Sequence, residues 1–310
     1  MRPSLPIGIF DSGIGGLSVL KALRTEMPNQ NFIYIADSGH APYGERDDAY
    51  VVARSLAIAA HLVKKNIKAL VVACNTATAA AIDVLRAAHP MLPIIGVEPA
   101  LKPAVAISQT KHIAVMATRS TLASARFAAL LAAHEAQARF LLLPCDGLAE
   151  AIERSAQQSN TTELIAACAK YTKAIGIFSS ENGFKAARSS TQNIDTIVLG
   201  CTHYPLASAH IQALLGPGVQ LLDNGRAIAR QTRRVLGSPL LTSAQPRSTN
   251  LASSDLVSTD LVSTDLVSTN LVSIERVCIE LVSTGRPDAL HAAALAWLGF
   301  SADVQTLCIS

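Results

Sequence analysis

The sequence predicts an α/β fold with parallel sheets that are covered by helices on both faces. Two observations lead to this prediction. Short apolar runs of strand length alternate with longer amphipathic stretches over the first two-thirds of the chain. The runs are nearly continuously apolar, which is typical of strands buried on both faces. Half of the 310 residues are hydrophobic and 16% are charged, which is enough to build a sizeable core and excludes a disordered chain.

The chain divides into predicted strands and helices in regular alternation. The predicted strands are Pro6–Phe10, Phe32–Ala36, Ala69–Ala73, Ile94–Val97, Ile113–Ala117, Phe140–Leu143, Thr196–Leu199 and Val219–Leu222. The amphipathic stretches that read as helices are Leu17–Met27, Tyr50–Lys65, Thr76–Ala88, Ser120–His134 and Thr161–Ala174. Ligands of parallel sheets bind at the carboxyl ends of the strands, so the residues after each run are where chemistry is expected.

Charge and hydropathy exclude several partners. The 26 basic and 23 acidic residues leave a net charge of +3, which gives no electrostatic footprint for nucleic acid or an anionic membrane. No run of ~18 apolar residues exists to span a bilayer. The first apolar run, Ile7–Phe10, is interrupted at once by Asp11 and is too short for a signal peptide. We therefore expect a soluble, cytoplasmic protein without a nucleic-acid or membrane partner.

Two of the six cysteines occupy equivalent positions. Cys74-Asn75-Thr76 and Cys201-Thr202-His203 each follow a predicted strand and precede a helix-like segment. None of the cysteines forms a Cys-x-x-Cys pair, so in a reducing compartment they are thiols. A thiol at a helix N-terminus is expected to have a lowered pKa.

These two thiols allow several kinds of chemistry. If they face each other across a cleft, one can remove a proton from a carbon and the other can return a proton to its opposite face. A Cys201–His203 nucleophile pair is an alternative, but it leaves Cys74 unexplained. A zinc site lacks further ligands at short spacing, so no metal is expected. The Gly13-x-Gly15 turn with Asp37 outlines a dinucleotide site, but its third glycine position is Ser18.

Five segments, in order along the chain, carry a family resemblance. They are Ile9–Gly16, Ala41–Gly44, Val72–Ala77, Gly96–Ala100 and Leu199–Leu206. They resemble the motifs of the cofactor-independent aspartate/glutamate racemase family. The resemblance covers about residues 6 to 236 and resumes at Ser283–Gly285, which is similar to the family's last strand and turn before a terminal helix.

The resemblance implies two similar α/β domains related by a pseudo-twofold, with the active site in the cleft between them. By that pattern one domain comprises residues 1–97 and 209–310, and the other comprises residues 98–208. The resemblance makes Cys74 and Cys201 catalytic, with help from Asp11, His203 and an acidic residue. Counting along the chain gives Glu153 for that acid, with Glu150 as the competing choice. The residues that it implies for substrate binding are Asp11, Ser12, Tyr43, Gly44, Asn75, Thr76, Thr118, Thr202 and His203, with Thr118 preferred over Thr121.

The implied reaction is the interconversion of L- and D-glutamate without any cofactor, for peptidoglycan synthesis. The resemblance assigns the D-enantiomer to Cys74 and the L-enantiomer to Cys201, and it allows a homodimer. Two alternatives stay open. One is a racemase of the same superfamily for aspartate or hydantoins, and the other is a non-catalytic binding protein on the same fold. Intact Cys74 and Cys201 argue against the second.

Two segments depart from the family pattern. Residues 175–193 are rich in Ser, Asn and Gly and read as a surface insertion. Residues 249–273 repeat a five-residue unit centred on Leu, usually preceded by Asp or Asn. This tract reads either as an expanded low-complexity loop or as a short pentapeptide-repeat coil. Neither segment contains a motif residue.

Overall fold

The computed structural model describes residues 5–158, 160–175, 194–237 and 277–309. The predicted insertion lies outside the described residues except for Ile175, which follows a helix, and the whole 249–273 tract lies outside them as well. Strands and helices alternate along the described chain, and every strand pair is parallel. The predicted α/β class is confirmed.

The strands form two sheets. In chain order they are β1 Ile7–Asp11, β2 Phe32–Ala36, β3 Ala69–Val72, β4 Ile94–Ile95, β5 His112–Ala117, β6 Arg139–Pro144, β7 Thr196–Leu199, β8 Gln220–Leu222, β9 Ile279–Ser283 and β10 Val304–Thr306. The first sheet has the order β10-β9-β2-β1-β3-β4, and the second has the order β6-β5-β7-β8. Strand β10 was not predicted, because it is short and polar.

The helices cover both sheets. They are α1 Leu17–Glu26, α2 Asp48–Lys64, α3 Asn75–Ala88, α4 Leu101–Ile107, α5 Arg119–Ala123, α6 Ala125–Ala132, α7 Leu148–Gln158, α8 Thr162–Ala174, α9 Ser208–Leu215, α10 Gly225–Gly237 and α11 Pro287–Leu298. The predicted helix Ser120–His134 is two helices. They separate at Ser124, whose backbone is extended and whose hydroxyl accepts from the N–H of Phe127 at 3.1 Å.

Adjacent residues of a strand pack into different cores. Ile9 of β1 belongs to a cluster on one face of the first sheet, and Phe10 belongs to a cluster on the other face. Strand β5 behaves in the same way in the second sheet, where Met116 and Val115 enter opposite clusters. Full burial of such a side chain contributes about 1.5–3 kcal/mol, so the continuous apolar runs stabilise both layers of helices.

The chain leaves the second sheet later than the predicted division has it. Strand β8 pairs with β7 in the second sheet, although residues 220–222 fall in the first domain of the predicted division. Helix α10 then packs against α1 of the first sheet. We therefore propose that the chain returns to the first domain after Leu222 rather than after residue 208. No helix of the described chain combines the length and apolarity needed to cross a membrane.

Candidate active site

Cys74 and Cys201 line one cleft between the two sheets. The cleft has a volume of about 380 Å³. Cys74 follows β3 after Ala73 and stands at the N-cap of α3, and Cys201 follows β7 after Gly200. Their exposures are 5% and 7%, so each thiol is nearly enclosed while bordering the same cavity. The two cysteines that occupy equivalent positions in the sequence therefore follow strands of different sheets, so that each sheet contributes one thiol.

The environment of Cys74 keeps its thiol protonated. Its Sγ accepts from the N–H of Ala77 at 3.4 Å and lies 3.8 Å from the hydroxyl oxygen of Ser12. Burial, followed by the nearby Asp11 carboxylate, raises the pKa of Cys74 to about 12. The expectation of a lowered pKa at this helix N-terminus was wrong, because removal from water outweighs the single N–H contact.

Asp11 is bonded within the loop that follows β1. Its Oδ2 accepts from the N–H groups of Gly13 at 3.1 Å and Gly16 at 3.0 Å. Its Oδ1 accepts from the hydroxyl of Thr202 at 3.1 Å. The carboxyl is fully buried, and burial raises its pKa although the charge of His203 opposes the shift. Asp11 therefore fixes the loop and ties it to the segment of the second cysteine.

His203 links Cys201 to an acidic residue. Its Nδ1 lies 3.8 Å from Cys201 Sγ, and its Nε2 lies 2.7 Å from Glu153 Oε1. Burial opposes the charged imidazole, but contacts with Cys201 and Glu153 raise the pKa of His203 well above its ordinary value. His203 therefore carries its positive charge next to the Cys201 thiol.

The structure distinguishes the two candidate acids. Both lie on α7, three residues apart, but only Glu153 contacts His203. Glu150 pairs with Arg154 at 2.8 Å and is half exposed. Of the two residues left open by the sequence, Glu153 is the one positioned to act on the imidazole.

Neutral polar groups surround the rest of the cleft. Asn75 is 4% exposed, and its side-chain oxygen and nitrogen have no hydrogen-bond partner among the described residues. Thr76 Oγ1 lies 3.0 Å from Thr118 Oγ1, which donates to Thr121 at 2.9 Å. Thr118 lines the cleft, while Thr121 lies behind it beside a small second pocket. Asn75 therefore retains unused hydrogen-bonding capacity for a ligand.

The Tyr43–Gly44 turn is held from both sides. The hydroxyl of Tyr43 donates to Asp37 Oδ2 at 2.5 Å, so it is engaged away from any ligand. The carbonyl of Gly44 accepts from the hydroxyl of Ser120 at 2.7 Å, across the cleft. A Cβ on Gly44 would stand 3.0 Å from Thr118, so glycine permits this close approach.

Two buried groups near the site received no catalytic or substrate-binding role from the sequence. Asp37 forms an ion pair with Arg54 at 2.8 Å and also accepts from Thr284 at 2.7 Å, which fixes the acid beneath the Tyr43 turn. Tyr34, in the middle of β2, donates to the carbonyl of Gly13 at 2.6 Å. An aromatic residue in a buried strand reads as core, so only the contact made by its hydroxyl distinguishes Tyr34.

The cations at the cleft are neutralised. The arginines that line it within the described ranges are each paired with a carboxylate: Arg119 with Asp146, Arg154 with Glu150, and Arg286 with Asp288. An anionic ligand in the cleft would therefore be held mainly by neutral donors and N–H groups. In the same part of the chain, no three His, Cys, Asp or Glu residues are arranged to hold a metal ion.

Comparisons with known proteins identify relatives of this chain. Residues 17–177 match the family model described as Asp/Glu/Hydantoin racemase. The chain is 45% identical to the glutamate racemase of Ectopseudomonas mendocina over 78% of this chain and 86% of the relative. It is 44% identical to that of Stutzerimonas stutzeri over 74% and 81%. A crystal structure of Escherichia coli glutamate racemase, in complex with L-glutamate and the activator UDP-MurNAc-ala, superposes with a TM-score of 0.74 at 25% identity and 99% coverage of both chains.

Proposed function

This chain belongs to the Asp/Glu/hydantoin racemase family, and we propose that it interconverts L- and D-glutamate by proton transfer between Cys74 and Cys201. The observation that carries the proposal is the position of these two thiols, which border one cleft from two different sheets. Glutamate held between them can lose its α-proton on one side, and the planar carbanion that results can gain a proton on the other side.

Similarity to the relatives favours glutamate over other amino acids. Curated glutamate racemases share 40–45% identity with this chain over most of its length. The neutral donors of the cleft suit a dicarboxylate that carries its own ammonium group. Asn75 offers a free amide, and Thr76 and Thr118 offer hydroxyls next to the turn at Gly44. These residues, with Ser12 and Thr202, are the proposed binding groups.

The two proton transfers of the reaction are assisted by different residues. Cys201 takes the α-proton from L-glutamate, assisted by His203, which Glu153 orients. Cys74 then protonates the opposite face, for which its raised pKa is appropriate because the thiol holds its proton until the carbanion forms. In the reverse direction Cys74 is the base. In this proposal the N–H groups that begin α3 stabilise the charge that develops on the substrate carboxylate.

Asp11 supports Cys74 rather than contacting the ligand directly. Its oxygens accept three hydrogen bonds from Gly13, Gly16 and Thr202, and its side chain is fully buried. Of the two roles expected for this residue, binding the substrate ammonium or assisting Cys74, we favour the second. A nearby negative charge makes the Cys74 thiolate a stronger base once it forms.

Circular dichroism of L-glutamate solutions tests the activity directly. The wild-type protein should erase the optical signal, and the Cys74→Ala and Cys201→Ala variants should each lose turnover by orders of magnitude. Cys145→Ala is the matched control, because this buried cysteine also lines the cleft but has no proposed role. In deuterated water, product formed from either enantiomer should carry solvent deuterium at the α-carbon.

Two outcomes would exclude the proposal. Retained racemisation in Cys74→Ala would contradict a two-thiol reaction and would favour chemistry based on Cys201 and His203 alone. Failure of the wild-type protein to racemise glutamate, with activity on aspartate or a hydantoin, would assign a different substrate. Cytoplasmic location, supply of D-glutamate to peptidoglycan and a homodimer remain part of the proposal, and light scattering after size exclusion measures the last.

A further inference from the structure

Tyr34 makes a buried hydrogen bond close to the catalytic cleft without touching it. It lies in the middle of β2, is fully buried, and donates from its hydroxyl to the carbonyl of Gly13 at 2.6 Å. Burial raises the pKa of Tyr34 well above its ordinary value, so the hydroxyl keeps its proton and remains a donor. The proposed reaction assigns no task to this group.

The partner of Tyr34 belongs to a peptide group that also contacts the second domain. The carbonyl of Gly13 and the N–H of Ile14 are parts of one planar unit and point in opposite directions. That N–H donates to Glu153 Oε1 at 2.7 Å, and the same oxygen lies 2.7 Å from His203 Nε2. Fixing the carbonyl therefore fixes the direction of the N–H toward Glu153.

The packing around this peptide leaves little freedom for another arrangement. A Cβ on Gly13 would collide with Glu153 Oε1, so glycine lets the carboxylate approach the backbone. A Cβ on Gly16 would stand 2.9 Å from the Tyr34 hydroxyl, so the loop also closes tightly over the tyrosine. The contacts form a continuous chain from Tyr34 to Cys201 through one peptide, Glu153 and His203.

We propose that Tyr34 is a positioning residue for the half of the reaction performed by Cys201, acting through the Gly13–Ile14 peptide on Glu153 and His203. The inference rests on the proposed function, because it presupposes that Cys201 exchanges a proton with the substrate. Asp11, which supports Cys74, also accepts from N–H groups of this loop. The Cys74 thiol itself, however, contacts the N–H of Ala77 and the hydroxyl of Ser12, which Tyr34 does not touch. Loss of the Tyr34 hydroxyl should therefore impair one proton transfer more than the other.

Kinetic isotope effects can detect that asymmetry. The two enantiomers have equal free energy in water, so kcat/KM must stay equal in the two directions and cannot reveal it. An α-deuterated substrate instead reports how far the first proton abstraction limits the rate. In Tyr34→Phe, kcat/KM should fall about tenfold in both directions, as expected for a misplaced catalytic group. The isotope effect should increase with L-glutamate and should stay unchanged or decrease with D-glutamate.

Tyr171→Phe is a matched control. The hydroxyl of Tyr171 also donates to a backbone carbonyl at 2.6 Å, that of Asp146, but this contact does not lead to Cys201. Both variants lose one hydroxyl contact of the same length, and circular dichroism confirms that each is folded. The control should keep the wild-type isotope effects and most of its kcat/KM even if its melting temperature falls as much as that of Tyr34→Phe.

Two further variants approach the same peptide from the other side. Gly13→Ala pushes Glu153 away from the Ile14 N–H and should reproduce the asymmetry, which provides a test even if Tyr34→Phe does not fold. In a Glu153→Gln background, Tyr34→Phe should cost much less than tenfold, because its effect passes through Glu153.

The results distinguish this inference from the proposed function. Unchanged isotope effects in folded Tyr34→Phe and Gly13→Ala, or equal increases for both enantiomers, would overturn the positioning role while the cysteine variants still support the two-thiol reaction. Full additivity of Tyr34→Phe and Glu153→Gln would also overturn it. Only an inactive wild-type protein, or active cysteine variants, would contradict the function itself.

Discussion

Thr202 Oγ1 donates a hydrogen bond of 3.1 Å to Asp11 Oδ1, although the two residues are 191 positions apart in the chain. Thr202 directly follows the cleft cysteine of the second sheet, and Asp11 ends the central strand β1 of the first. A second contact at the same place joins the hydroxyl of Ser18 to the carbonyl of Thr202 at 2.9 Å. The two halves of the site are therefore bonded to each other, and changes in one half should be measurable in the other.

The ion pair between His203 and Glu153 should make stability depend on pH. The pKa of His203 is raised above the 6.5 of an unfolded chain, so the stabilisation is fully present below that value and is lost as pH rises through the folded pKa. Glu153→Gln should lower the free energy of unfolding by about 2–3 kcal/mol near pH 5.5. The deficit should shrink in urea titrations at higher pH, as pH rises through the folded pKa of His203 and the imidazole loses its charge.

Glu150→Gln serves as the control for this experiment, since Glu150 lies one turn away on α7 and pairs with Arg154 at the surface. An exposed pair of this kind contributes about 0–1 kcal/mol, so the control should change stability little at any pH. A Glu153→Gln deficit that does not vary with pH would contradict a charged His203.

The coupling between Asp11 and Cys74 should appear in thiol reactivity. Asp11→Asn removes a negative charge that raises the pKa of Cys74, so iodoacetamide should alkylate Cys74 several-fold faster in the variant. Racemisation should nevertheless fall by about 100-fold, because the loop and the basicity of Cys74 are both impaired. Mass spectrometry of the Cys74 peptide measures the first effect, with exposed Cys278 as the internal reference.

Asp223→Asn is the matched control for the Asp11 variant. Like Asp11, Asp223 is the first residue of an Asp-x-Gly turn after a strand. Its Oδ1 accepts from the N–H of Gly225 at 2.8 Å, away from the cleft. It should change neither the alkylation of Cys74 nor turnover. Slower alkylation of Cys74 in Asp11→Asn would show that the carboxylate does not act on the thiol through its charge.

Asn75 should affect binding without contributing to stability. Its amide has no partner among the described residues, so Asn75→Ala removes an unsatisfied buried group and should leave the melting temperature unchanged or higher. The KM for glutamate should rise about tenfold through the loss of one hydrogen bond to a charged ligand. A fall in melting temperature with unchanged KM would show that Asn75 has a structural role instead.

Ser55→Ala tests the same physical effect far from the cleft. The hydroxyl of Ser55, on α2, is also buried without a partner among the residues that the structure describes. Its removal should resemble Asn75→Ala in melting temperature while leaving KM unchanged.

The buried ion pair of Arg54 and Asp37 should stabilise the protein and hold the Tyr43–Gly44 turn in place. Asp37 is fully buried, and Arg54→Ala would leave its charge without a counter-ion, at a cost of about 3–5 kcal/mol in the free energy of unfolding. KM should also rise, because Asp37 accepts from the Tyr43 hydroxyl. Chemical denaturation and steady-state kinetics measure these two effects.

Arg233→Ala provides the comparison, since Arg233 pairs with Glu26 at 2.9 Å with its side chain 69% exposed. The loss of this surface pair should cost about 1 kcal/mol or less and should not alter KM. Equal destabilisation by the two arginine variants would contradict a special role for the buried pair.

The sequence predicted those parts of the site that lie directly after strands. Asp11, Cys74 and Cys201 were identifiable because each follows an apolar run and precedes a turn or helix, which are local features. The strands Phe32–Ala36 and Thr196–Leu199 agree with the structure to the residue, because their runs end at residues that break the apolar pattern, Asp37 and Gly200. The family resemblance supplied the roles.

Contacts between distant segments could not be predicted in the same way. Glu150 and Glu153 are both acidic and both on α7, and only the rotation of that helix against the second sheet brings Glu153 to His203. The sequence indicates only a core residue at Tyr34, because its ring is buried in a strand. The contact that its hydroxyl makes depends on where the fold places the carbonyl of Gly13. The place of β8 in the second sheet likewise depends on pairing rather than on local pattern.

The position of β9 beside β2 has a consequence for how the protein is made. Strands β1 to β4, with Asp11 and Cys74, leave the ribosome long before residues 279–283, which cover the free edge of β2. Until then the nascent first sheet exposes an unpaired edge, the kind of surface that other chains or chaperones bind. Arg54 also meets its contact with the carbonyl of Ile309 only after residue 309 has been synthesised. The first half of the cleft to be synthesised is therefore the last to be completed.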